Sequence, residues 1–169
     1  MKQFKLFMIL FLTLLVQGTI MPRFLNTTSN ASVQMVPEFI FVFLLLTAVF
    51  GRVEWSIRYA LIFGFLTDII FTPVLGVYAF SMTLAVYLCT QVARWFNLTI
   101  VSALLISVLG VAIDQVIVYF IYLMIGVTDQ EFLLFLSNHL LPTLILNAAF
   151  MVIAYYPFRL FIQADEDKR

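Results

Sequence analysis

Charge is scarce in this chain of 169 residues: Asp, Glu, Lys and Arg supply 11% of it, where a soluble domain carries about 25%. Apolar side chains make up 64%. That balance excludes a soluble globular domain and is the composition of an integral membrane protein. No hydrophilic stretch is long enough to fold separately, so residues 1–169 read as a single polytopic membrane domain. Basic and acidic residues number nine each and no long basic run occurs, which argues against nucleic acid as a partner. The single cysteine, Cys89, lies in an apolar run, so neither a disulfide framework nor a thiol-ligated metal site is available. One histidine, His139, falls short of the three or four donors a metal site needs. A Gly-rich phosphate loop, a nucleophile with a base and zinc-ligand spacing are all missing. No enzyme activity, cofactor or metal is therefore expected.

Six apolar segments are present, separated by turn or charge signals, at about 4–21, 37–50, 55–72, 76–93, 98–125 and 132–160. The expected fold is an all-α bundle of about six transmembrane helices. Lys2 and Lys5 precede the first apolar run as in a secretory leader, yet a small-residue cleavage site is missing, so that run reads as a retained span. The second segment is short, roughly 21 Å at the helical rise, and would span only with snorkelling of Arg52 or local thinning of the bilayer. With the N-terminus in the cytoplasm, Lys2, Lys5, Arg52, Arg58, Arg94, Arg159, Lys168 and Arg169 fall inside and only Arg23 outside. Trp55 and Trp95 then lie at the inner interface. Both termini are expected in the cytoplasm, the chain crossing the cell membrane several times. The polar run from Asn26 to Gln34 reads as an external connection, and Pro37 and Glu38 as the first turn of the second helix, with the acid facing the positive dipole end.

Few polar residues interrupt the apolar segments. Gly64 and Asp68 are four apart, hence on one helix face, with Gly76 beyond a break at Pro73. Ser81, Ala85, Cys89 and Ala93 form a ladder of small side chains, and Ala103, Ser107, Gly110 and Asp114 form a second; such stripes are what membrane helices pack through. Asp114 is the more deeply placed acid and should point into the bundle, there meeting a donor or carrying a proton. In the last segment Pro142 frees a carbonyl about one turn upstream. Thr143 and Asn147 follow, and Pro157 and Arg159 stand near its inner end, the arginine as an interface anchor. A proton relay normally needs several ionisable groups in series. With two carboxylates inside the segments, structural hydrogen bonding is the expected role. Asp68→Asn, which keeps hydrogen bonding, should then be milder than Asp68→Ala, and loss of assembly should exceed loss of folding.

The run GFLTDIIFTPVLGVYAF from Gly64 to Phe80, with LPTLILNAAFMVIAYYPFRLF from Leu141 to Phe161, resembles the rod shape-determining protein MreD family of bacteria. The G-x-x-x-D signature with its later glycine and the L-P-T-x-x-x-N pattern ending in P-F-R carry the resemblance. It places family positions at Gly64, Asp68, Gly76, Pro142, Asn147, Pro157 and Arg159, and leaves Asp114 open. It implies a non-enzymatic part of the elongation machinery that binds MreC, a protein with one spanning helix, and links MreB filaments indirectly to RodA and a class B penicillin-binding protein in lateral peptidoglycan synthesis. It also implies a fold like the substrate-binding subunits of energy-coupling-factor vitamin transporters. Those subunits are the rival reading, with Asp68, Thr72 and Asn138 as a ligand pocket. Against it, many of them carry A-x-x-x-A in the first helix, and no alanine occurs here before Ala31.

Overall fold

The structure, a computed structural model, describes residues 2–27, 34–97 and 99–163, with side chains over 3–19, 34–97 and 99–161. Most of the external connection, the side chains of Lys2 and Arg23, and both Lys168 and Arg169 lie outside the described residues. Among those described the chain forms six helices and no strand: α1 (Lys2–Thr27), α2 (Phe39–Phe50), α3 (Val53–Phe71), α4 (Val77–Ala93), α5 (Ile100–Met124) and α6 over 132–163. We count α6 as one helix because it is α-helical over Phe132–Phe135, continues through a π turn at Leu136–Leu140 and is α-helical again over Leu141–Gln163. Two stretches, Ile100–Met124 and Phe132–Phe161, are long and apolar enough to cross a membrane.

The shortest helix is the hub. Twelve residues give α2 a length of about 18 Å, and Ile40, Phe41, Val42, Leu44, Leu45 and Leu46 are all fully buried. A helix that is apolar on every side must be covered on every side, and α2 packs against each of the other five. Its neighbours turn large apolar side chains the other way: Phe11 and Leu15 on α1, Phe65 and Ile69 on α3, Leu105 on α5 and Ile145 and Ile153 on α6 are exposed. Asp68, Asp114, Glu38, Gln115 and Asn147 are buried. The polarity is thus the inverse of a water-soluble fold, greasy outside with its polar groups enclosed.

The tightest helix pair is α3 with α4. A Cβ built on Gly64 would stand 2.7 Å from both Ala79 Cα and the Tyr78 carbonyl oxygen, so only glycine lets the start of α4 approach this closely. The chain can turn back within Thr72–Gly76 because Gly76 takes φ +95°, in the left-handed region that a Cβ disfavours. Where α4 meets α5, a Cβ on Gly110 would meet the Leu45 methyls and the Cys89 sulfur, which are side-chain atoms. Helix α5 starts with a capping box, the Thr99 and Ser102 side chains each bonding the other's backbone N–H.

This difference in neighbours predicts a difference in cost. Gly64→Ala is expected to destabilise the purified chain by about 1–3 kcal/mol through overpacking against rigid backbone, whereas Gly110→Ala costs less because the Leu45 methyls can move. Thermal unfolding of the two variants checks this; equal midpoints would contradict it.

Candidate functional site

Three interruptions of helix meet in the half of the bundle that holds the α3–α4 turn, and the buried polar residues serve them. At that turn the first residues of α4 have backbone N–H groups with no partner in their own helix, as at any helix start. Gly76, unlike an ordinary N-cap, has no side chain to offer. Asp68 supplies the acceptors from α3: its Oδ2 receives the N–H of Gly76 and of Ala79, each at 3.0 Å, and its Oδ1 that of Tyr78 at 2.9 Å. The Thr72 hydroxyl lies 3.3 Å from Oδ1 and donates to the Val74 carbonyl at 2.8 Å. Asp68 is 0% exposed. Gly64 brings α4 close, Asp68 caps it and Gly76 turns the chain, so these three form one constellation.

That geometry corrects two expectations. Both carboxylate oxygens of Asp68 already face backbone donors, so Asn is no mild replacement: its amide nitrogen would set N–H against N–H. Nor is Asp68 turned toward a ligand pocket with Thr72 and Asn138. The Asn138 side chain instead lies beside the Ser137 hydroxyl.

The second interruption is the extended segment Gln34–Glu38 before α2, and it is fastened to α6. Gln34 N–H donates to the Asn138 carbonyl at 2.7 Å, the carbonyl that Pro142, lacking an N–H, leaves free. Val36 N–H donates to Thr143 Oγ1 at 3.1 Å, Asn147 Nδ2 donates to the Val36 carbonyl at 3.0 Å, and Glu38 N–H donates to Asn147 Oδ1 at 2.8 Å. Every second residue of an extended chain advances about 6.6 Å. Four or five helical residues advance about 6–7.5 Å, so residues 34, 36 and 38 match 138, 143 and 147 in register. The π turn, the third interruption, supplies the five-residue step. Just beyond, Ile40 N–H donates to Gln17 Oε1 on α1 at 3.2 Å.

Glu38 was expected to face the dipole of α2. It is the residue before the helix and makes no side-chain cap; its Oε1 accepts from Gln115 Nε2 on α5. Gln115 Oε1 is in turn 3.0 Å from Nε2 of His139, whose ring stacks on Phe135. Asp114 is 0% exposed and sits near Glu38, Asp68 and the Ser81 hydroxyl. The small-residue ladders face inward: Ser81, Ala85 and Cys89 on α4 and Ala103, Ser107 and Gly110 on α5 are buried in the bundle. Pro157 and Arg159 stand apart, ten or more residues along α6 from Asn147, with Arg159 Nη1 3.4 Å from the Tyr155 hydroxyl. Glu38, Gln17 and His139 were not singled out as members of the buried polar set. Their only signal was a polar residue within or bordering an apolar run, which does not say which way it turns.

Two outcomes follow for the purified chain. Asp68→Asn and Asp68→Ala should each cost about 3 kcal/mol or more of stability, seen as a lower unfolding midpoint, since bonds to a carboxylate are worth about 1.5–3 kcal/mol apiece; a wild-type midpoint for Asn would overturn the capping role. Asn147→Ala should cost about 1–3 kcal/mol for each backbone group it strands at Val36 and Glu38, and hydrogen exchange of the Glu38 amide should rise with it.

A family model described as rod shape-determining protein MreD matches residues 1–164. The rod shape-determining protein MreD of Bacillus subtilis (strain 168) is 31% identical over 130 residues, which cover 77% of this chain and 76% of that protein. No solved structure matches significantly. With a match along nearly its whole length, and with Gly64, Asp68 and Gly76 joined in one structural unit, the chain belongs to the MreD family of rod shape-determining proteins, a role in cell shape.

Proposed function

We propose that this protein is a non-enzymatic scaffold, integral to the bacterial cytoplasmic membrane, that binds the spanning helix of MreC and so helps couple MreB filaments to RodA and a class B penicillin-binding protein during lateral peptidoglycan synthesis. The observation that carries the reading is the inverted polarity of the bundle. A surface of large apolar side chains has no place in water, and inside hydrocarbon every polar backbone group must be satisfied from within, as the chain's breaks are. All six helices cross or enter the bilayer, the five outer ones with α2 shielded at the centre, and both ends of the chain face the cytoplasm in keeping with the distribution of Lys and Arg. A fold like the vitamin-binding subunits of energy-coupling-factor transporters accords with a bundle of this size. The scaffold reading is favoured over vitamin binding because the polar side chains bond to their own backbone.

Since the small-residue stripes of α4 and α5 are consumed inside the bundle, a partner helix has to dock on an outward apolar face. Photo-crosslinkers placed at Phe65, Ile69, Leu105 and Ile145 in living cells should capture MreC from at least one face, while Ser81 and Ser107 should capture none. In the same cells deletion of the gene should give round cells, restored by the wild-type chain. Normal rods after deletion, or capture from the buried stripes alone, would contradict the proposal.

A further inference from the structure

Among the described residues, three buried side-chain oxygens make no hydrogen bond of ordinary distance and angle, Glu38 Oε2 and both oxygens of Asp114, although the Ser81 hydroxyl stands near Asp114. They belong to two acids that are neighbours. Glu38 is 1% exposed and Asp114 0%, and the two lie near enough for their charges to interact. The titratable groups facing them are Asp68 from α3, Tyr78 from α4 and, through Gln115, His139 from α6, with Tyr122 of α5 beside Tyr78 and Asp68. Lysine and arginine are absent from that set. Two ionised carboxylates would therefore stand together, desolvated and uncompensated, a situation that proteins avoid by protonation or by binding a cation. A proton needs no cavity, and it removes one of the two uncompensated charges.

We propose that Glu38 and Asp114 form a buried proton-binding pair, and that the proton is the latch holding the start of α2 against α5. Glu38 is also the last residue of the segment zipped onto α6, its N–H bonded to Asn147. Loss of the proton sets the two acids against each other and pulls Glu38 from Gln115, loosening the Gln34–Glu38 segment from α6. The protein is then responsive to proton supply at a place with no catalytic group.

The test uses the full chain, purified in detergent, and two readouts. Infrared spectroscopy should show the carbonyl stretch of a protonated carboxylic acid at neutral pH, sensitive to deuterium exchange. The band should shift or weaken in Glu38→Gln and in Asp114→Asn, and vanish in the double variant. Stability provides the second readout. Unfolded carboxyls ionise at about pH 4, so a proton kept only by the native pair makes stability fall as pH rises. The unfolding equilibrium constant should increase about tenfold per pH unit from above about pH 4 up to the pH at which the native pair ionises, level off beyond it, and lack this rise in the neutral double variant. Should the double variant fail to fold, the single variants still carry the infrared test. Absence of the band from the wild type, its persistence in the double variant, or its replacement on adding sodium or potassium with a matching rise in midpoint would each overturn the proposal, the last by assigning the site to a metal cation.

Discussion

Backbone polar groups at a break in a helix have nowhere to turn when apolar side chains surround them, and this constraint organises the bundle. The chain breaks at Gln34–Glu38, at Thr72–Gly76 and at the π turn Leu136–Leu140. Each break is answered by a side chain or a backbone group from another part of the chain. Asp68 serves the start of α4, Asn147 and Thr143 serve the segment before α2, and the carbonyl left free by Pro142 is taken by Gln34. An unmade buried hydrogen bond costs about 1–3 kcal/mol, so these few polar residues specify how the helices join. Apolar contacts alone, being non-directional, would hold the helices together without choosing a register.

Glu38 and Asp114 stand outside that scheme. Asp68, Gln17, Thr143 and Asn147 bond to backbone, whereas Glu38 Oε2 and both oxygens of Asp114 make no hydrogen bond of ordinary geometry. With the proposed proton in place, they are, among the described residues, where the polar interior would answer to a species that comes from solution. A static scaffold needs no such dependence, whereas a scaffold whose shape answers to its surroundings does.

Packing in the other half of the molecule follows ordinary rules. Phe43 meets Phe150 and Phe158 in edge and tilted contacts, Phe50 meets Tyr155, and the ring of Trp55 carries the Arg58 guanidinium at 5.1 Å. The Arg52–Glu54 pair is exposed and contributes little. Pro157 is accommodated within α6, on its exposed side.

By itself the sequence determined the class and the count. A charge content this low, with apolar runs of helical length, leaves an all-helical chain as the way to pair its backbone. The helices begin and end within a few residues of the runs, except that α1 continues to Thr27 and α2 starts only at Phe39. The spacing of Gly64 and Asp68 also put them on one face before any fold was known. What that face met was decided by tertiary structure, because the acceptors of Asp68 are used by residues eight to eleven positions on, across a turn that spacing cannot orient. The same holds for Glu38 and Asn147, 109 positions apart along the chain. A helix period fixes which side chains share a face, while the partner of that face depends on how distant helices pack, and that is a property of the assembled bundle alone.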